Sequence, residues 1–255
     1  MRQRLFEINE QDAFEEAKQR FIKTCGFDLQ KNKHQKMMKM GEKVREDGID
    51  GIEIRAMLSF CDKSILTDEG LKVAGETLAF PYLERIPRDA VCGVYFYGLT
   101  VGECYFSSEE NIMDFLYADI WGTNYVDASM SILQKKIEED MRETFAGAGE
   151  VYLSCEFGPG YFGMPVSDSQ KIMKIIDGEQ IGIRVKESGL LIPQKSCMGF
   201  FFVYNRPGIT AEAECIRCGG NSKGCEFCRI RISQHAISLL CLAQRSRLSN
   251  GRPQE

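Results

Sequence analysis

Four cysteines near the C-terminus have a spacing suited to a metal ion or an iron–sulfur cluster. Cys215, Cys218, Cys225 and Cys228 form two C-x2-C pairs in the stretch CIRCGGNSKGCEFC. Each pair can present two thiolates to one centre, and the small residues between the pairs allow a tight bend. The spacing therefore predicts a four-thiolate centre that holds either a structural zinc ion or a 4Fe–4S cluster. Free thiols or a disulfide pair are the alternative.

The other cysteines lie mostly on apolar stripes or strands, where cysteine is a small core residue. They are Cys25, Cys61, Cys92, Cys104, Cys155, Cys197 and Cys241. Cys155 is close to a glycine-rich turn and is the one whose reactivity is of interest. The odd total of 11 cysteines, with no apolar secretory segment at the N-terminus, favours reduced thiols. We therefore expect a cytoplasmic protein.

A second group of residues with binding chemistry consists of a turn and a later step on a strand. The turn contains Gly158, Pro159, Gly160 and Tyr161, and the later step contains Lys195 and Ser196. Glycines let the backbone approach a flat ligand closely, and the Tyr161 hydroxyl can hold a water or a carboxylate. A helix that starts near Ser167 offers free N–H groups to the anionic end of a ligand.

The elements that must position these residues indicate an α+β fold. Helices are predicted over most of residues 1–60 and at 68–86, 107–146 (one or two helices), 167–177 and 232–248. Strands are predicted at 48–58, 90–102, 150–157, 181–193 and 196–205. Because strands and helices mix without regular βαβ alternation, we expect a largely antiparallel twisted sheet flanked by helices. Residues 1–206 would form this domain, with a helical N-terminal part, and residues 207–255 a cysteine-rich tail with a final helix.

The charge balance and composition exclude several classes of function. The net charge is −5, from 37 acidic and 32 basic residues, which leaves no basic face for nucleic acid. No run of 18 apolar residues occurs, so we expect no membrane partner. With only His34 and His235, we expect neither a histidine-rich metal site nor a histidine-based triad.

The order of elements between residues 85 and 203 resembles the activation domain of cobalamin-dependent methionine synthase, most closely its short stand-alone relatives. In that family the turn reads Arg-x-x-x-Gly-Tyr, which Gly160 and Tyr161 match in part, and the later strand pair carries Pro-x-Lys-Ser, which residues 193–196 match. The resemblance implies binding of S-adenosylmethionine and capping of a corrinoid while cob(II)alamin is reduced and remethylated. It also implies a corrinoid protein or cobalamin-dependent methyltransferase as partner, and an electron donor as a further one.

One residue departs from the family pattern. Glu156 stands where the family has its arginine. An arginine would bind the carboxylate of S-adenosylmethionine, whereas Glu156 would repel it, unless Arg184 or Lys186 lies near enough to compensate.

Three possible functions therefore stay open. The first is a reactivation protein with Tyr161 at the corrinoid face, in which catalysis by the chain itself is left open. The second is a non-catalytic binding module with a degenerate S-adenosylmethionine site and a zinc-stapled docking tail. The third is an iron–sulfur electron carrier.

Metal analysis of the anaerobically purified full chain tests the four-cysteine centre. We expect either about one zinc ion or about four irons with brown visible absorbance per chain, since four thiolates saturate either centre. A Cys218→Ser variant should lose the metal, and the matched Cys92→Ser control should keep it. Metal-free protein in which every thiol reacts with a thiol reagent would contradict the centre.

Overall fold

A computed structural model describes residues 1–48, 51–103 and 111–209 of the chain. These residues belong to one compact unit, Met1–Thr210. The four-cysteine pattern, Cys104, Cys241 and the predicted final helix lie outside the described residues, so they stay predictions, as does the boundary at residue 206. The predicted α+β class is confirmed by the described part, which combines four α-helices with a five-stranded antiparallel sheet.

The elements are numbered along the chain. The α-helices are α1 (Glu10–Thr24), α2 (Asn32–Gly48), α3 (Ile112–Thr144) and α4 (Ser169–Ile176). The strands are β1 (Arg2–Ile8), β2 (Ile52–Asp62), β3 (Leu66–Thr67), β4 (Gly70–Val73), β5 (Glu76–Leu78), β6 (Val91–Gly102), β7 (Tyr152–Leu153), β8 (Arg184–Val185), β9 (Leu191–Ile192) and β10 (Ser196–Tyr204). Single 3₁₀ turns occupy Lys63–Ile65, Pro81–Arg85, Arg88–Ala90, Val166–Asp168 and Gly178–Ile181.

The central sheet has the strand order β1-β2-β6-β10-β7, and every neighbouring pair is antiparallel. Strands β6 and β10 lie inside it, and their side chains are almost all buried. Side chains of successive strand residues point to opposite faces, so Tyr95 and Tyr97 face one side of the sheet while Phe96 faces the other. Both faces therefore need a covering layer.

Helices α1, α2 and α3 belong to the hydrophobic core that contains Tyr95 and Tyr97. The other face is covered by α4 and by aromatic side chains. There, a Cβ on Gly98 would lie 3.5 Å from the Ile181 side chain and would overlap that of Ile176. The sheet thus lies between two unequal layers.

Helix α2 runs parallel to α3 and close to it. The Trp121 indole Nε1 donates to the Gly41 carbonyl oxygen at 2.8 Å, and the Arg45 Nε donates to the Tyr125 hydroxyl at 2.8 Å. The two contacts are four residues apart on each helix and occur in the same order, so the helices have the same direction. A Cβ on Gly41 would lie only 2.7 Å from the Phe21 ring, which itself stacks on Trp121 at 4.2 Å. Glycine is therefore needed at position 41.

Edge strand β1 is fixed to α3 by a buried carboxylate. Asp140 is 2% exposed and lies 2.8 Å from a guanidinium nitrogen of Arg4; it also pairs with Arg2. The Tyr95 hydroxyl donates to the same carboxylate at 2.6 Å. The predicted helical character of residues 1–60 is wrong at its start, where β1 forms an edge of the main sheet, whereas the strand predicted at 48–58 is confirmed as the 11-residue β2.

The helix predicted over residues 68–86 is also wrong. This stretch forms the small sheet β3-β4-β5 followed by a 3₁₀ turn. Ala74 and Gly75 both have positive φ, 51° and 79°, as the two central residues of a tight hairpin turn require. Leu71 and Val73 are buried and Lys72 is exposed, a period of two that belongs to a strand rather than a helix.

Other predicted elements exist with different extents. Residues 112–144 form one continuous helix. The strand predicted at 150–157 shortens to β7, and the strand predicted at 181–193 is the hairpin β8-β9. Helix α4 is confirmed over Ser169–Ile176, and the left-handed residue that follows its end is Asp177, with a φ of 51°, rather than Gly178. The described part of the chain contains no helix that is both long and apolar enough to cross a membrane.

Candidate functional site

The predicted Gly-Pro-Gly-Tyr turn is a compact, internally hydrogen-bonded loop. The Tyr161 amide donates to the Gly158 carbonyl at 3.0 Å, and the Met164 amide donates to the Tyr161 carbonyl at 3.0 Å. Gly160 has a φ of 87°, a conformation that favours glycine, and its amide donates to the Met164 carbonyl at 2.9 Å. The loop holds the Tyr161 side chain outward, with 66% of the residue exposed.

The turn is anchored to the outer edge of strand β10. The amide of Phe157 donates to the carbonyl of Phe200 at 3.0 Å, and the amide of Phe200 donates back at 2.8 Å. A Cβ on Gly158 would lie 2.9 Å from the Met198 carbonyl oxygen, and one on Gly199 would overlap the Phe157 carbonyl. Both glycines are therefore needed for this close backbone approach. The buried Phe157 ring lies 5.2 Å from Phe80, which fixes the start of the turn.

Glu156 lies just before the turn, and its carboxyl group points inward. Tyr97, which is completely buried on β6, donates its hydroxyl to that carboxylate, and its ring passes over the bare backbone of Gly199. Burial of the carboxyl group raises the pKa of Glu156; the hydrogen bond from Tyr97 opposes this rise, and the negative charge of Asp127 on α3 adds to it. The residue as a whole is exposed, so solvent reaches its stem while its acidic end is partly withdrawn from water.

Cys197, on strand β10, lies beside Tyr97 and Glu156. Burial raises the pKa of the Cys197 thiol, and the charges of Glu156 and Asp127 act in the same direction. Burial likewise raises the pKa of Tyr97 well above its ordinary value. The thiol and the phenol are therefore both neutral at physiological pH, and Cys197 has no thiolate character for nucleophilic chemistry.

The Pro-Gln-Lys-Ser step positions α3. The Lys195 Nζ lies 2.6 Å from a carboxylate oxygen of Asp119 and 3.0 Å from the Thr123 hydroxyl. Its aliphatic stem passes over Gly122, where a Cβ would lie 2.8 Å from Lys195 Cγ. The Ser196 hydroxyl is 2.8 Å from that of Thr100 on β6. These two polar groups are thus engaged within the protein, and their predicted binding role stays a prediction.

The structure brings the predicted residues together only in part. Glu156 and the turn share the outer edge of β10, and Lys195 and Ser196 lie at the start of the same strand. Arg184 and Lys186 are on or next to the hairpin β8-β9 and form no hydrogen bond or ion pair with Glu156 among the described residues. The compensation considered for the missing arginine is therefore not made by such a contact.

Sequence reasoning missed four residues of this edge: Tyr97, Asp119, Asp127 and Cys197. Tyr97 belongs to an alternating strand pattern, which predicts its burial but not the partner of its hydroxyl. Its only sequence signal is Gly199, a small residue in a run of large aromatic ones, which leaves room for the ring. The three carboxylates already have partners within the protein, since Glu156 accepts from Tyr97, Asp119 pairs with Lys195 and Asp127 lies 3.5 Å from a guanidinium nitrogen of Arg20. Their negative charge disfavours a further carboxylate at this edge.

The described cysteines mostly have packing roles. Cys61 is buried; Cys25, Cys92 and Cys197 are half-buried; Cys155 is exposed next to Glu156. Across residues 1–48, 51–103 and 111–209, no group of three or more histidine, cysteine or acidic side chains is arranged to hold a metal ion.

A comparison with solved structures finds a similar fold in a crystal structure of the MetH reactivation domain bound to AdoHcy. The TM-score is 0.59 at 11% sequence identity, and the match covers 84% of this chain and 81% of that chain. Neither a protein-family model nor a curated protein sequence matches the chain. The fold thus resembles that of the methionine synthase reactivation domain, as the order of the sequence elements predicted.

The stability of a Glu156→Gln variant should depend on pH differently from that of the wild type. The folded-state pKa of Glu156 is raised above its ordinary value of 4.5, so the proton stabilises the folded state at low pH. As pH rises from 4.5 through the raised pKa, the wild type loses this stabilisation and the Gln variant does not. Urea unfolding between pH 4 and 8 should therefore show the variant gaining stability relative to the wild type.

Tyr97→Phe is the matched control. It removes the hydrogen bond that lowers the pKa of Glu156, so the pH-dependent loss of folding stability should extend to higher pH than in the wild type. Loss of the hydrogen bond should also reduce the free energy of unfolding by about 1 kcal/mol. A difference between wild type and Glu156→Gln that is constant with pH would show that the carboxyl group is solvated normally.

Proposed function

We propose that this chain is of the reactivation-domain type and acts on a corrinoid-dependent methyltransferase. It would cap the partner's corrinoid while cob(II)alamin is reduced and remethylated. The observation that carries the proposal is the likeness of fold over 84% of the chain, combined with an exposed tyrosine on a rigid turn. The reduced thiols expected from the sequence favour a cytoplasmic setting.

The surface around Tyr161 supports a capping role. Val166 is 48% exposed and packs beside Gly160 and Gly189, and Leu190 at the neighbouring hairpin is 61% exposed. Exposed apolar side chains next to glycines form a surface that is suited to pack against a large flat ligand. The Tyr161 hydroxyl can at the same time hold a water near the ligand face. The corrinoid would supply the redox chemistry of its cobalt, and this chain would exclude solvent and orient the exposed face.

S-adenosylmethionine fits this edge only in part. The structural neighbour is bound to AdoHcy, which makes a related site plausible here. However, the carboxyl groups of Glu156 and Asp127 lie close enough for one to raise the pKa of the other, so the α-carboxylate of the ligand would be repelled. We therefore assign no methyl-transfer step to this chain.

The cysteine tail has two proposed roles within this function. A zinc ion would hold the tail together without redox chemistry. A 4Fe–4S cluster would instead relay an electron from a donor protein to the corrinoid. In either case the ligands would be Cys215, Cys218, Cys225 and Cys228.

Visible spectroscopy of a mixture with a cob(II)alamin-loaded corrinoid protein tests the capping role. We expect the wild-type chain to change the corrinoid spectrum or its rate of reduction, since capping alters the solvation of the cobalt face. Tyr161→Ala should weaken the response by about 30-fold in apparent affinity, the size of an interface hot spot.

Leu5→Ala is the matched control, because Leu5 is also exposed, at 45%, but lies on β1 at the other edge of the sheet. This variant should respond as the wild type does. If the wild type changes neither the spectrum nor the reduction rate, the proposed role is wrong.

A second candidate is a non-catalytic binding module in which the S-adenosylmethionine site has been lost. Glu156 favours it, because an acidic residue stands where the family has its arginine and no arginine or lysine side chain bonds to it in the described part of the chain. Calorimetry should then detect no binding of S-adenosylmethionine tighter than about 1 mM, an affinity near 4 kcal/mol. Tighter binding would rule out the lost site.

A further inference from the structure

The solvent-facing side of helix α2 carries a cluster of lysines. Lys33, Lys36, Lys39 and Lys43 are all exposed, and their spacing of three or four residues places them along one side of the helix. Met40 lies among them and is 49% exposed. We call this surface, formed by the four lysines and Met40, the α2 basic face.

These lysines form no ion pair within the described residues, although paired cations lie close by. Lys18 pairs with Glu42 at 2.8 Å and Lys31 pairs with Asp28 at 3.3 Å. Four like charges at this spacing repel one another and destabilise the helix slightly. The cluster also occurs in a chain whose net charge is −5. Internal stability therefore does not explain it.

The α2 basic face lies on a rigid support. The opposite side of helix α2 is held against α3 by the Trp121–Gly41 hydrogen bond. The C-terminal part of α2 is held against α1 by Arg45, which pairs with Glu10 at 2.8 Å. The Arg45 guanidinium also lies 3.9 Å from the centre of the Phe14 ring. A partner would thus meet a preorganised row of charges, with little backbone entropy to lose on binding.

We infer that the α2 basic face is a docking surface for an acidic protein. A compact acidic patch on the partner can neutralise the four lysines and cover Met40. The complementary charges would accelerate the encounter of the two proteins, and Met40 would add a small apolar contact at the centre of the interface. A nucleic-acid duplex or a lipid surface is disfavoured, because its continuous array of phosphates would also lie against Glu46 and Asp47, which are exposed at the end of the same helix. This inference does not depend on the proposed function.

Binding of fluorescent poly-L-glutamate, measured by anisotropy at low ionic strength, tests the surface. Lys36→Gln/Lys39→Gln/Lys43→Gln should bind at least about tenfold more weakly than the wild type, since three of the four attracting charges are gone. The matched control is Lys63→Gln/Lys72→Gln/Lys186→Gln, which removes the same charge from scattered exposed positions. It should bind within about twofold of the wild type, because net charge alone is a weak determinant of a local contact.

The experiment has two results that would overturn the inference. One is an equal loss of binding in both triple variants, which would mean that net charge rather than the helix face attracts the polymer. The other is tighter binding of an RNA duplex, or of phosphatidylserine vesicles, than of poly-L-glutamate at the same salt concentration. Circular dichroism of each variant checks that α2 is still folded, and both triple variants should unfold at the same urea midpoint as the wild type, because exposed Lys→Gln changes disturb no packing.

Discussion

Strands β6 and β10 project large aromatic side chains to both faces of the sheet, and water has to be excluded from each face. Every fully buried aromatic contributes about 1.5–3 kcal/mol, so the covering layers are a condition of stability. Helices α1 to α3 cover the face of Tyr95 and Tyr97. On the other face, Phe80 and Phe157 pack around Phe200. The turn that carries Tyr161 begins inside this second cluster, so the candidate site is attached directly to the core.

The polar ends of the core tyrosines decide where buried charge is placed. A buried hydroxyl needs a partner, and the two tyrosines on β6 find carboxylates towards opposite edges of the sheet. Tyr95 reaches Asp140 and helps to hold β1, while Tyr97 reaches Glu156 next to the turn. The carboxyl group of Glu156 is thus part of the packing of the sheet. This explains why an acidic residue can be stable there, and it is the main reason to doubt a carboxylate ligand at that edge.

The sequence pattern predicted the elements whose signal is local. Strand β6 follows from its alternation, and the turn at 158–161 follows from its glycines and proline. Strand β1 could not be predicted, because its charges have partners only in the folded protein, where Arg2 meets Asp140 from 138 residues away. The helix expected at 68–86 is wrong because Gly70 and Gly75, both with positive φ, interrupt the apolar residues and allow a tight hairpin. The pairing of Tyr97 with Glu156 spans 59 residues, and its only local sign is the glycine at 199.

The order of strands in the sheet also constrains when the candidate site can form during synthesis. Strand β10 lies between β6 and the segment that carries Glu156, yet it follows both in the chain. Neither the anchoring of Phe157 nor the contact between Tyr97 and Glu156 can exist before β10 has been made and inserted. A nascent chain that ends at residue 195 would contain every residue of the turn without its geometry. The site is therefore assembled late, and an intact Tyr97–Glu156 contact reports that β10 has taken its place between β6 and the segment that carries Glu156.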